Sequence, residues 1–278
     1  MIEILQRQAI RLLLVGAALC ALFVVADLVF DSLGPAGTVA FNVGLALVVL
    51  GVVFVYLLPG RGRDAPPRVV QCPVRGRWVA INSPASKVPS HGIRAYGQSH
   101  AVDLVHEPLT GMRRPAFATG SGMARPTDFP AYGEPVHAMV DGTVVRVRDG
   151  QRDHRSRTRW WSVAFLMIEG SLRELCGSGG VIGNRVIIDA GDGVYALVAH
   201  LQQGSAAVAE GDRVAAGDVI GRCGNTGNTT EPHVHAQLMD RSTPSTARGL
   251  AMGFEDIRLG SSGEPRTGMP ANGEHLVG

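Results

Sequence analysis

Lysine is all but missing from this chain. Lys87 is the single lysine among 278 residues, so positive charge rests on arginine and the net charge is only +2. That scarcity bears on one fold class directly. GDRVAAGDVIG (211–221) has the turn-rich pattern of a lipoyl- or biotinyl-type carrier, but a carrier needs an acceptor lysine at a hairpin tip. Lys87 stands far upstream, in the Pro-rich stretch SPASKVPSHG. The carrier class is excluded. Cysteines number four, and none forms Cys-x-x-Cys, which argues against a thiolate zinc site or a thioredoxin-like motif. Cys20 lies in an apolar run; Cys72, Cys176 and Cys223 permit one disulfide at most. The arginines do not cluster with aromatic residues, so a nucleic-acid partner has no support. No long amphipathic helical period appears beyond the N-terminal region, which leaves strands.

Charge is missing from two other places. From Leu12 to Phe30 (LLLVGAALCALFVVADLVF) only Asp27 is charged, and from Ala36 to Leu58 no residue is. Each run is long enough to cross a bilayer core of ~30 Å as a helix. The stretch DSLGP between them, with Gly34 and Pro35, reads as a short turn. A signal peptide followed by a buried helix fits less well, because the second run exceeds an h-region and no small-residue cleavage site stands out. The expectation is a two-helix transmembrane hairpin in residues 1–60, with spans at 12–30 and 36–58. RGRDAPPRVVQCP (61–73) is basic and Pro-rich and opens a juxtamembrane linker over 61–77. Arg7 and Arg11 precede the first span, Arg61, Arg63 and Arg68 follow the second, and the intervening loop has no Lys or Arg. That bias places both chain ends in the cytoplasm.

The remaining ~200 residues suit one core-bearing domain. They read as mainly β: an antiparallel sheet or sandwich. EPVHAMVDGTVVRVRDG (134–150) alternates apolar and polar residues around Asp141-Gly142, a tight-turn signal. NRVIIDAGDGVYALVAHL (184–201) repeats the pattern around Gly191-Asp192-Gly193. Residues 151–180 read as an insertion, partly strand, and the Gly/Ser/Pro/Thr-rich tail, 241–278, as irregular.

In GNTGNTTEPHVHAQL (224–238), His233 and His235 share one side of a short strand, because alternate side chains face the same way. His200 ends the apolar strand ALVAHL. Asp103 interrupts Val102, Leu104 and Val105 in SHAVDLV, where a half-buried carboxylate needs a partner or a metal. An Asp and three such histidines are the parts of an open catalytic zinc site, which takes three protein ligands and leaves one position for water.

GVYALVAHLQQGSAAVAEGDRVAAGDVIGRCGNTGNTTEPHVHAQL and GEPVHAMVDGTVVRV resemble the core of the LytM/lysostaphin-type zinc metallopeptidases. The resemblance covers about residues 78–240. It implies a β domain with a zinc ion held by Asp103, His235 and an upstream histidine, and His200 and His233 as the catalytic pair. That family's first ligand, four residues before the aspartate, falls on Ser99, which is not a zinc ligand. His91, in the loop PSHGIRAYGQ, is the favoured replacement and His100 the second. Gln237 is a candidate for orienting a ligand. His106, His137, His154 and His275 are read as surface or structural. The implied activity is zinc-assisted hydrolysis of peptide bonds in bacterial cell-wall peptidoglycan, with peptidoglycan peptide and the membrane lipid bilayer as partners. The alternative is a non-hydrolytic domain of the same fold that binds wall peptides or regulates a hydrolase. A wall hydrolase has no substrate in the cytoplasm, so function argues, against the charge bias, for an extracytoplasmic domain on a multi-pass membrane anchor.

Overall fold

The computed structural model describes residues 2–30, 34–54, 66–175, 178–260 and 263–278. It divides into two compact units, Met1–Arg61 and Gly62–Gly278. Several expectations fall outside the described residues: residues 31–33 of the interhelical turn, the end of the second span, Arg61, Arg63 and Cys176.

The first unit is a helix pair, α1 (Ile2–Phe30) and α2 (Gly34–Val52). Both are long and apolar enough to cross a membrane by length and composition. Their contact is made through small residues. Gly37, Gly44 and Gly51 recur every seven residues, two helical turns, and all are buried; Gly44 faces Gly16 and Gly51 faces Ala9 of α1. A Cβ on Gly16 would lie 2.5 Å from the Gly44 carbonyl oxygen, and one on Gly51 2.7 Å from Leu13 Cβ. Phe23 and Phe41 meet at 5.2 Å between ring centroids, and the Cys20 thiol donates to the Phe41 carbonyl. Large apolar residues such as Leu22, Leu28 and Val39 point outward. Small inside and large apolar outside inverts the pattern of a soluble helix pair and matches the way helices pack in lipid. Gly44→Leu is therefore expected to separate the helices. Oxidative crosslinking of Cys20 to a cysteine introduced as Phe41→Cys should fall several-fold, and an unchanged yield would refute the close packing.

The second unit is mainly β. Its large sheet runs, in spatial order, Arg68–Val70, Met252–Leu259, His275–Val277, Arg77–Ile81, Val102–His106, Val234–Met239, Tyr195–Ala199, Arg185–Asp189, Gly142–Arg148 and Arg213–Val214. Neighbours are antiparallel except the first pair, which is parallel. The core lies under the sheet's middle, where Trp78, Leu104, Val198, Ala236 and Leu238 are buried. The turn at 191–193 joins two paired strands as the sequence suggests, with positive φ at Gly191, Asp192 and Gly193.

Four expectations are corrected. The tail is not irregular: it contributes Gly249–Leu250, Met252–Leu259, Arg266–Gly268 and His275–Val277. Alternation in MGFEDIRL is broken where the register shifts between Phe254 and Ile257, with Asp256 at φ +50, so two buried residues fall out of phase. The linker 61–77 likewise contains a strand, Arg68–Val70, too short to show a period, and Val70, Cys72 and Val74 are buried in the core. The strands flanking Asp141-Gly142 do not form a hairpin with each other. Pro135–His137 pairs with Val219–Arg222 in a separate small sheet, and Gly142 serves a close crossing, since a Cβ there would lie 2.2 Å from the Asp189 carbonyl oxygen. The insertion at 151–180 is mainly helical: α3 (Trp160–Leu175) and α4 (Ser178–Ile182), beside the two-residue strand Ser156–Arg157. Its helical period is masked because α3 carries its large apolar residues on the exposed face and its charged pairs inward.

Candidate metal centre

Asp103 and His235 stand directly opposite each other in adjacent strands. Alternation in VDLVH sends Val102 and Leu104 to the core and brings Asp103 to the other face, and His235 belongs to a strand with neighbours on both sides. His235 Nδ1 lies 2.8 Å from Asp103 Oδ1. His91 Nε2 lies 3.0 Å from Asp103 Oδ2, so one carboxylate spans two imidazoles. Asn82, at φ +51 just after the 77–81 strand, donates its side-chain amide to Asp103 Oδ2 at 2.8 Å. One ligand atom from each of His91, Asp103 and His235 fits within a 4.8 Å span.

A loop delivers His91. Ser90 is fully buried, its N–H donates to the Ser99 carbonyl and its hydroxyl to the Gln98 carbonyl. That pins the loop against residues 98–99 and turns His91 toward Asp103. His100 is not brought to the site. Its Nδ1 pairs with Ser99 Oγ at 3.0 Å, and it stands outside the cluster because the short helical turn Ala95–His100 ends there, ahead of the strand.

Hydrogen bonds select which nitrogen of each ring is free. Gln237 Nε2 donates to the Tyr96 carbonyl, which leaves Gln237 Oε1 as the acceptor for His235 Nε2 at 2.8 Å. With Nε2 held by Gln237, Nδ1 is the nitrogen turned to Asp103, and it is the one left to ligate when a metal replaces the His235–Asp103 hydrogen bond. His200 Nδ1 donates to the Thr226 carbonyl and His233 Nδ1 to the Glu231 carbonyl, each at 2.8 Å. A carbonyl only accepts, so both rings keep Nε2 as the basic nitrogen. These two rings pack at 4.8 Å between centroids, and His233 Nε2 is 3.6 Å from Asp103 Oδ1. His200 leaves its strand in the left-handed region, φ +62, which detaches its ring from the sheet's alternation. Arg114 forks onto the Glu231 carboxylate, Nε donating at 2.8 Å, and so steadies the turn before His233.

Burial alone would raise the Asp103 pKa; the charges of His233 and His91 and hydrogen bonds from His235 and His91 outweigh it and hold the carboxyl well below its usual range. Burial alone would lower His235, but its hydrogen bond and ion pair with Asp103 raise it. His200 is lowered well below its ordinary value, by burial first and then by the neighbouring charges of His233 and His235. A stability prediction follows for metal-free protein. The unfolded chain binds a proton at position 200 near pH 6.5, whereas the folded one resists it. His200 thus makes stability fall as pH drops through about 6.5, while His235, raised, acts in the opposite sense. His200→Asn should flatten the loss of thermal stability between about pH 7.5 and 5.5; an equal loss in the variant would reject the burial argument.

The donor set, two neutral imidazole nitrogens and a carboxylate oxygen, fits a divalent metal such as zinc with a position left open. Residues 167–247 match the model of peptidase family M23. The match takes in His200, His233 and His235 and ends short of His91 and Asp103, which are contributed from upstream. It supports a peptidase or a related domain, and bears out the resemblance read from the sequence. The structure is also similar to the catalytic domain of lysostaphin from Staphylococcus simulans, at 23% identity over 57% of this chain and 77% of that one, with a TM-score of 0.32. It is similar to the catalytic domain of the prophage-encoded M23 protein EnpA from Enterococcus faecalis, at 18% over 69% and 92%, TM-score 0.33. A third similarity is to a chain of the SpoIIQ–SpoIIIAH pore-forming complex, at 18% over 53% and 60%, TM-score 0.30. No curated protein matches the chain.

The M23-like site also contains groups that the sequence reading passed over. Asn82, Ser90 and the carbonyls of Thr226 and Glu231 act through position alone. The remaining histidines are tied into structure: His106 stacks on Trp78, His137 pairs with the Gly217 carbonyl, His154 with that of Gly227, and His275 with Glu107.

Proposed function

We propose that this chain is a membrane-anchored zinc metalloendopeptidase that hydrolyses peptide bonds of bacterial cell-wall peptidoglycan. One observation carries the reading: Asp103 gathers His91 and His235, while His200 and His233 stand beside them with Nε2 free. His91 Nε2, an Asp103 oxygen and His235 Nδ1 hold the metal, and Gln237 fixes the His235 ring in the tautomer that binds it. Zinc, when bound, polarises the scissile carbonyl and brings the pKa of its water to ~7. His200, kept neutral by burial, takes a proton at Nε2. That proton passes across the packed ring pair to His233, which delivers it from Nε2 to the leaving amine, so both rings end the cycle neutral. The family match supports the hydrolytic part, and the small-inside, apolar-outside helix pair supports the anchor. We place the domain on the extracytoplasmic side, where its substrate is.

Full-length protein in detergent should release new peptide amino groups from purified peptidoglycan. A chelator should stop the release, and added zinc should restore it. Bound zinc with no release from any peptidoglycan preparation would sink the hydrolase reading in favour of a binding domain.

A further inference from the structure

We infer that α3 docks the domain on the membrane surface, its apolar face seated in an anionic bilayer interface. The inference rests on the membrane-anchor reading above. Trp160, Trp161, Phe165, Met167, Ile168 and Leu172 all project into solvent; Trp160 is 76% exposed, Ile168 64% and Leu172 61%. Trp161, Phe165, Ile168 and Leu172 follow the i, i+4, i+7, i+11 spacing of one helix face. The opposite face is the more polar one and points inward. Ser162 is fully buried, Glu169 pairs with Arg157, and Arg173 donates to the Gly227 carbonyl. A helix that turns its pairs of charge inward and its aromatics outward is built to cover something apolar. The adjoining loop extends the patch. Phe117 stacks on Trp160 at 4.9 Å, and Trp161 lies over Gly122, where a Cβ would meet its ring at 2.8 Å.

Two observations select the occupant. Residues 109–125 and 151–175, which build this surface, carry five exposed arginines, Arg113, Arg125, Arg152, Arg155 and Arg159, and no exposed acid. A basic rim around Trp, Phe and aliphatic side chains is the composition of an interfacial helix on anionic lipid. Two copies meeting face to face would instead set basic rim against basic rim. The second observation is the tether. Only residues 53–67 separate α2 from the first strand, at most about 50 Å of extended chain, so an anchored domain always samples the bilayer at high effective concentration. Within that reach the apolar face decides which side of the domain lands.

Tryptophan fluorescence of the full-length chain tests this cleanly. Residues 1–77 contain no tryptophan, and Trp78 is fully buried in the core, so the responsive emission comes from Trp160 and Trp161. The chain is reconstituted into vesicles of phosphatidylglycerol and phosphatidylcholine, the latter plain or brominated on its acyl chains. Flotation with the vesicles reports anchoring. Brominated lipid is expected to quench most of the responsive emission, and acrylamide to reach little of it. Ile168→Glu with Leu172→Glu, both exposed positions, should leave flotation intact and reverse the two quenching results several-fold. A chain that floats but whose emission is open to acrylamide and untouched by brominated lipid overturns docking and leaves anchoring standing. Emission shielded from both quenchers also overturns it, and points to a second copy or another protein on the face. A chain that fails to float overturns the anchor, and docking with it.

Discussion

Asp103→Ala is expected to reduce zinc from about one ion per chain to near none, and to abolish hydrolysis with it. The carboxylate is the one group that touches both partner imidazoles, at 2.8 Å and 3.0 Å. Its removal deletes a ligand and leaves His91 and His235 with no shared acceptor. His235→Ala should do the same. Gln237→Ala acts one step further out: it frees the His235 ring to change tautomer, and loss of such a partner typically weakens metal binding about 10–100-fold. Among the upstream histidines, His91→Ala should cost the metal and His100→Ala should not, because His100 is paired with Ser99 outside the cluster. Metal analysis of the purified variants decides all five. Full occupancy in Asp103→Ala would reject the ligand set, and loss in His100→Ala equal to that in His91→Ala would reject the loop-delivered ligand.

Much of this site was legible because strands have period two. Parity alone places His233 and His235 on one side, and marks Asp103 as an anomaly between apolar neighbours. Register was not legible: nothing local says that Asp103 pairs with His235, 132 residues away, and only the intervening strands bring them together. His91 was readable as a candidate only, since a loop's reach depends on what pins it, here Ser90 against residues 98–99. Asn82 was missed because it contributes a single amide at the end of a strand. The tail strands were hidden by a register shift, and α3 by an inverted pattern, its outer face more apolar than its inner one. In both cases the local pattern was real, but a tertiary feature or a surface role had altered its period.

His233→Ala and His200→Asn are expected to keep the zinc and lose hydrolysis by about 10²–10⁴-fold, the usual worth of positioned acid/base help. The second substitution is chosen for the backbone. His200 sits at φ +62, a region that asparagine tolerates far better than alanine, and the asparagine amide can still donate toward the Thr226 carbonyl. What it lacks is the basic Nε2. Neither ring belongs to the three-ligand cluster, so metal content separates chemistry from binding. The two rings pack at 4.8 Å and serve one proton-transfer sequence, so the double variant should be little worse than the more damaged single one. Initial rates of amine release and zinc stoichiometry, measured on the same preparations, give the test. Activity within a few-fold of wild type in both single variants would remove His200 and His233 from the chemistry. Zinc lost along with activity would make them ligands, and the proton would then need another acceptor.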